Sequence, residues 1–308
     1  MPENNFCSPG AKIKSGTCYS KKSLLTLIES YNKAKPLNKI LVRKNATIKA
    51  LWNALNNKLK PFVKDGNEWC WTDYINKITT DFNLKNNIKK IEKTELKPAQ
   101  PVSWIKNPTE WLSNYDIIAV MKQYEDVKNN HYKFLGVFPI DFTEKTLAGS
   151  CAYESHCNIN IANFIKNKIK FIGFIINLDK HDEPGSHWTS IFMVIDPNYI
   201  SYGAYYCDSV GTEIPENIKL YFKNIKKQLN SIYKLNKFKL IYSKTKNQRS
   251  NTECGMFSQM FQINWLKNLK KNKDSTIYNI LNDKHNNDND MKKLRNSLYR
   301  PNIKSIIK

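Results

Sequence analysis

Four residues, in this chain order, have the types that acyl transfer needs: His187, Asp208, Gln248 and Cys254. They stand in the words Gly185-Ser186-His187-Trp188, Cys207-Asp208-Ser209-Val210-Gly211 and Gln248-Arg249-Ser250-Asn251-Thr252-Glu253-Cys254-Gly255. A cysteine attacks a carbonyl as its thiolate, so it needs a base nearby and a local field that favours negative charge. The apolar run GMFSQMFQINWLKNL follows Cys254 directly. The thiol is therefore expected at a helix N-terminus, where the dipole and free backbone N–H groups supply that field. His187 is the candidate base, and Asp208 the acid that would orient its ring and stabilise the imidazolium. Gln248 could donate a side-chain N–H to the developing oxyanion, beside the backbone N–H of Cys254. Gly255 would leave room next to the nucleophile.

Other reactive side chains fit this chemistry less well. His181 lies near His187, but in the turn-like segment KHDEPG with no strand directly after it; it is a second candidate base. Cys151, His156 and Cys157 form a compact group. Zinc would need a fourth ligand and better spacing, so no metal site is expected. Cys207 should point to the opposite strand face from Asp208 and read as a core thiol.

The elements that must position these residues follow from the hydrophobic pattern. From about residue 134 the segments YKFLGVFPIDF, IKFIGFIINLD, WTSIFMVID, ISYGAYYCD and FKLIYSK are short and rich in Ile, Phe, Tyr and Val. They read as strands, several of them buried on both faces. His187 opens one strand and Asp208 closes the next, so two strands and a turn would bring them together. PENIKLYFKNIKKQLNSIYK has helical spacing, and a helix over WLSNYDIIAVMKQYE is expected to open at Pro108-Thr109-Glu110. NDKHNNDNDMKK is polar and reads as a loop. Before residue 100, LLTLIESYNKA and TIKALWNALNNKL are amphipathic helices. Pro98, Pro101 and Pro108 punctuate a connector. The expected fold is α+β: a central mixed sheet flanked by helices in residues 101–308, with a basic helical N-terminal domain in residues 1–100.

Composition narrows the class. The 308 residues are 41% hydrophobic, with a formal net charge of +22. That is enough apolar material for a core, so a disordered polycation is excluded. The excess charge sits at both ends: net +11 over residues 1–100, −3 over 101–208 and +14 over 209–308. Such surfaces attract nucleic acid or acidic partners. The longest apolar run, FIGFIINL, is far short of the roughly 20 residues of a spanning helix, so no membrane insertion is expected. The N-terminal residues lack a basic segment followed by an apolar one, so no secretory signal is expected. The seven cysteines are odd in number, with no C-x-x-C. Reduced thiols in a reducing compartment fit that pattern.

His-Trp, then Asp, then Gln followed six residues later by Cys-Gly, resembles the ubiquitin-like-protein (SUMO) protease and adenovirus protease superfamily. The words GSHWTSIF, QRSNTECG, KSGTCYSKKSL and WLSNYDIIAVMKQYE look most like the capsid-maturation cysteine proteases of large nucleocytoplasmic DNA viruses, such as that of African swine fever virus. The resemblance implies a papain-like, adenain-type core with His187 as base, Asp208 as orienting acid, Cys254 as nucleophile and Gln248 as oxyanion donor. Trp188 would wall a narrow substrate cleft beside Gly255. The swine fever type carries Asn at the acid position, so Asp208 places this chain nearer the SUMO-protease form. The implied substrates are viral core or capsid precursors cut at Gly-containing (Gly-Gly-X-like) sites, in the virion core or the cytoplasm of the infected host cell. No cofactor is required by this chemistry, although DNA could serve as activator or docking partner through the basic ends. Two other readings stay open: a deconjugase of ubiquitin-like modifiers, and a basic virion protein that binds nucleic acid.

Overall fold

The computed structural model describes residues 6–11, 16–63, 67–145, 149–270, 280–281 and 286–305. The chain divides into two compact units, residues 1–110 with 295–308, and residues 111–294.

The first unit is helical. Ser20 and Thr47 end extended stretches, and their hydroxyls accept from the amides of Ser23 and Ala50. These caps start α1 (Lys21–Ala34) and α2 (Ile48–Leu59) by satisfying amides that have no helical partner. With α3 (Trp71–Ile78) and α4 (Phe82–Glu95), they bury Leu24, Leu27, Leu51, Leu55, Trp71, Ile75 and Ile88 in one cluster. Of the N-terminal word KSGTCYSKKSL, residues 14 and 15 lie outside the described residues. Its cysteine gives a correction: Cys7 and Cys18 form a disulfide, so not all the thiols are reduced. The two buried residues have Cα atoms 5.0 Å apart, a separation a disulfide can bridge and one that sequence spacing does not reveal.

A second correction concerns the C-terminus. The expected catalytic domain runs to residue 308, but the described residues from Arg295 onward belong to the first unit. The anchor is Arg300, whose side chain is fully buried. Its guanidinium meets Asp73 at 2.8 Å, bonds Glu92 and donates from Nε to the Lys97 carbonyl. Arg300→Leu would strand two carboxylates in a mostly apolar setting. Because Asp73 and Glu92 stay partly exposed, water can reach them, and the expected loss is about 2–4 kcal/mol in the denaturant unfolding of this unit.

The second unit holds a mixed five-stranded sheet, in chain order β1 (Tyr132–Pro139), β2 (Phe171–Asn177), β3 (Trp188–Val194), β4 (Gly203–Cys207) and β5 (Lys239–Tyr242). The outer pairs are parallel and the β2–β3 and β3–β4 pairs antiparallel. Strands β3 and β4 bury nearly every residue because both faces are covered. On one face Ile191, Met193 and Tyr206 pack with Ile218, Phe222 and Ile225 of the helix Glu216–Tyr233. On the other, Phe192 and Tyr205 pack on Trp265 of the helix Cys254–Lys270.

The segment read as a polar loop holds a surprise. Residues 282–285 of it lie outside the described residues, but a helix covers Asp288–Leu298. Asp288 and Asp290 occupy its first turn, where negative charge suits the dipole, and Met291 is buried beneath.

Candidate active site

The strand register does the positioning that the sequence pattern suggested. Ser190 pairs with Cys207 across β3 and β4. His187, just before β3, and Asp208, just after β4, therefore project from the same end of the sheet. His187 Nε2 lies 2.7 Å from Asp208 Oδ1. The Asp208 side chain is fully buried and that of His187 is 16% exposed.

Asp208 is held by more than the histidine. The Val210 amide donates to Oδ1 at 2.9 Å, and the Thr212 amide donates to Oδ2 at 3.3 Å. The Thr212 hydroxyl donates to Oδ2 as well. The turn that delivers these donors passes through Gly211 at φ +76°, where a Cβ would meet the Lys244 carbonyl oxygen at 2.7 Å. Burial pushes the Asp208 carboxyl up, but the hydrogen bonds from His187, Thr212 and Val210 outweigh it and hold the group below its ordinary value. Thr212 carries no sequence signal as a site residue, since its role depends on the turn closing back.

Cys254 is the first residue of its helix and is 1% exposed. Its thiol is near enough to the His187 ring to help raise it. With Nε2 directed at Asp208, Nδ1 is the ring nitrogen left for sulfur. Burial disfavours the imidazolium. The bonds to Asp208 and Cys254 and the negative charge of both partners more than offset this, raising His187 to about 9. The structure thus brings three of the residues singled out in the sequence to one place: carboxylate, imidazole and thiol.

Gln248 reaches the same neighbourhood through the turn after Asp208. The Ser209 carbonyl accepts from the amides of Asn247 and Gln248, both at 2.9 Å, and the Ser209 hydroxyl donates to Gln248 Oε1 at 2.6 Å. Gln248 Nε2 donates one hydrogen to the Ser250 carbonyl at 2.7 Å. An amide nitrogen carries two, so a second donor remains. The following loop is clamped by Asp288, whose carboxylate accepts from the amides of Arg249 and Ser250, each at 3.0 Å, and from the Ser250 hydroxyl at 2.9 Å. Asp288 sits in the stretch read as a loop, so its part in holding the Gln248 segment was invisible in sequence.

Trp188 borders a cleft of about 460 Å³, lined also by Trp111, Leu112, Val137, Pro139 and His181. Trp111 and Leu112 are there because the expected helix starts late. A reciprocal capping box between Ser113 and Asp116 begins it at Asn114, not at Pro108. The two apolar residues ahead of the cap stay outside the helix. The Leu112 carbonyl accepts from the Trp188 indole at 3.0 Å. Leu112 also corrects the reading of Gly255: a Cβ there would lie 3.0 Å from Leu112 Cδ1. The missing side chain makes room for Leu112 against the helix start rather than for substrate directly.

The remaining candidates lie elsewhere. His181 lines the cleft, but its Nδ1 is 2.6 Å from Asp141, its own carboxylate partner. His156 turns inward, with Nδ1 3.0 Å from the Tyr221 hydroxyl and its ring 4.1 Å from that of Phe138. Burial pushes it down to about 3, as for a neutral core imidazole. Cys157 donates outward to the Thr143 carbonyl at 3.2 Å. Cys157 also neighbours Cys151, so within the Cys151/His156/Cys157 group it is His156 that turns away, into the core. Cys207 is a core thiol, pushed well up by burial.

Fold and site together define a cysteine protease. Comparisons with known proteins bear on that reading. No protein-family profile matches the chain. The chain is 28% identical over 277 residues to a protein of Acanthamoeba polyphaga mimivirus named as a thiol protease, covering 85% of this chain and 84% of that one. It is 24% identical over 209 residues to the cysteine protease of an African swine fever virus isolate, covering 63% of this chain and 70% of that one. The homologue of another isolate bears the name SUMO-1 cysteine protease. The crystal structure of the African swine fever virus protease superposes with a TM-score of 0.62 at 19% identity, covering 96% of both chains, and shows that the fold is shared.

Proposed function

We propose that this chain cleaves virion precursor polypeptides at Gly-containing sites through a thioester on Cys254. The observation that carries the reading is the His187 ring, bonded to buried Asp208 through Nε2 and raised by the Cys254 thiol at the head of its helix. His187 takes the thiol proton, and sulfur attacks the scissile carbonyl carbon. The oxyanion accepts from the Cys254 amide and the second Gln248 N–H. As the tetrahedral species collapses, the imidazolium gives its proton to the leaving amine. Water then attacks the thioester, passing a proton to His187. The thiolate leaves and recovers a proton as the carboxylate product departs.

The nearly complete burial of Cys254 supports a preference for Gly. Gly brings no side chain to the packed surroundings of the buried sulfur, so its carbonyl approaches with least obstruction. The wild-type enzyme is expected to cleave a Gly-Gly-X peptide and to reject its Val-Val-X counterpart; equal rates on the two would defeat this reading. Gln248→Ala should lower kcat by about 10²–10³-fold with KM little changed, measured by steady-state kinetics on the same peptide.

A deconjugase reading has support in the name borne by three of the relatives. Electrophilic ubiquitin and SUMO probes separate the two: a precursor protease labels poorly with both, whereas a deconjugase labels rapidly with its own modifier.

A further inference from the structure

The stretch between Glu29 and Asp65 contains nine Lys and Arg residues and no acid. Within it, the connection between α1 and α2 holds two leucines in full view of solvent. Leu37 is 102% exposed and Leu41 88% exposed. They are held there by an ordered loop. The Asn32 side chain clasps buried Ile40 from both sides, accepting from its amide at 2.6 Å and donating to its carbonyl at 3.0 Å. The Asn38 amide closes a turn onto the Lys35 carbonyl at 3.0 Å. The exposed side chains of Lys39 and Arg43 alternate with the leucines, and Lys35 and Lys44 flank them. None of these four cations makes an ion pair among the described residues.

Burial of Ile40 explains the shape of the loop but leaves the leucines without a structural role. A leucine held open to water loses its hydrophobic contribution, and two of them on one constrained loop mark a contact surface. The chemistry of the rim selects the occupant. A second copy of the same loop would bring like charges together. Nucleic acid would satisfy the cations but offers little to two aliphatic side chains, and residues 35–47 contain no aromatic ring for bases to stack on. An anionic bilayer satisfies both sets: headgroups take the cations, and the acyl boundary takes the leucines.

We infer that the loop from Lys35 to Lys44 is a docking prong for an anionic membrane surface, inserting Leu37 and Leu41 while Lys35, Lys39, Arg43 and Lys44 meet the headgroups. The attachment is peripheral, since no helix among the described residues is long and apolar enough to span.

The test is vesicle flotation with the full chain, using phosphatidylcholine alone and phosphatidylcholine mixed with phosphatidylserine. The wild type should float with the mixed vesicles only, and less as salt rises. Leu37→Ser with Leu41→Ser should weaken binding by about tenfold or more. Lys39→Gln with Arg43→Gln should weaken it by about fivefold per cation at low salt. All four positions are exposed, so the variants should melt and cleave a short peptide as the wild type does. Failure of the wild type to float with mixed vesicles overturns the inference. So does a leucine variant that floats as well as the wild type, which would reduce the contact to charge alone. Binding to duplex DNA or an acidic protein that falls with the leucine substitutions, while vesicle binding does not, would assign the prong to that partner instead.

Discussion

Cys254→Ala abolishes peptide cleavage, with a loss on the order of 10⁶-fold in kcat, because no other group in the site can form the acyl intermediate. The size of the effect follows from how the site is built. The thiol stands on the first residue of a helix, beside an imidazole whose Nε2 is engaged by the fully buried carboxylate of Asp208. Its removal deletes the bond-forming atom and leaves the rest of the line in place. The substitution removes one buried sulfur and adds no bulk, so the variant should fold and still bind substrate. That makes it a trap for the uncleaved precursor. The check is steady-state cleavage of a Gly-Gly-X peptide alongside a thermal melt. Residual activity near wild type with an unchanged melt would remove Cys254 from the mechanism.

Asp208→Ala is expected to lower kcat by about 10²–10⁴-fold, the range associated with losing the acid that fixes a catalytic imidazole. The pH profile tells positioning from mere destabilisation. In the wild type, burial works against the His187 cation, but Asp208 and Cys254 outweigh it and raise the group to about 9. The imidazolium must protonate the leaving amine, so kcat/KM should hold through neutral pH and fall as pH rises through about 9. Without the carboxylate, His187 loses its proton at lower pH, and the alkaline limb moves down toward the ordinary histidine value. Asp208→Asn refines the test. The amide keeps one acceptor oxygen for His187 or for Thr212, but its N–H₂ must then face donors on the other side. Its alkaline limb should also move down, with a smaller rate loss than for Ala. An unmoved limb in both variants would mean that Asp208 only supports the turn.

The residues that carry chemistry were legible because each rode on a strong local pattern. Strands β3 and β4 announce themselves by continuous Ile, Phe, Tyr and Val, and their ends place His187 and Asp208. The apolar run after Cys254 announces the helix that presents the thiol. What escaped depends on contacts far apart in the chain. Trp111 and Leu112 reach the cleft because Ser113 and Asp116 start the helix after them, six residues beyond the proline that signals a helix start in sequence. Asp288 clamps the Gln248 loop from a stretch whose polarity hides a short capped helix. Arg300 is one cation among many in the sequence, and only the fold shows it buried between Asp73 and Glu92. The Cys7–Cys18 bond is likewise a matter of three-dimensional proximity.

The central claim, that Cys254 is the nucleophile driven by the His187–Asp208 pair, is tested most directly by covalent capture. A peptide ending in Gly-Gly with an electrophilic carbonyl replacement is incubated with the wild-type protein, and the adduct is located by intact mass and peptide mapping. One adduct per chain is expected, on the peptide containing Cys254, with loss of labelling in His187→Ala at neutral pH. Labelling at Cys151 or Cys157 with Cys254 unmodified, or equal labelling rates with and without His187, would contradict it.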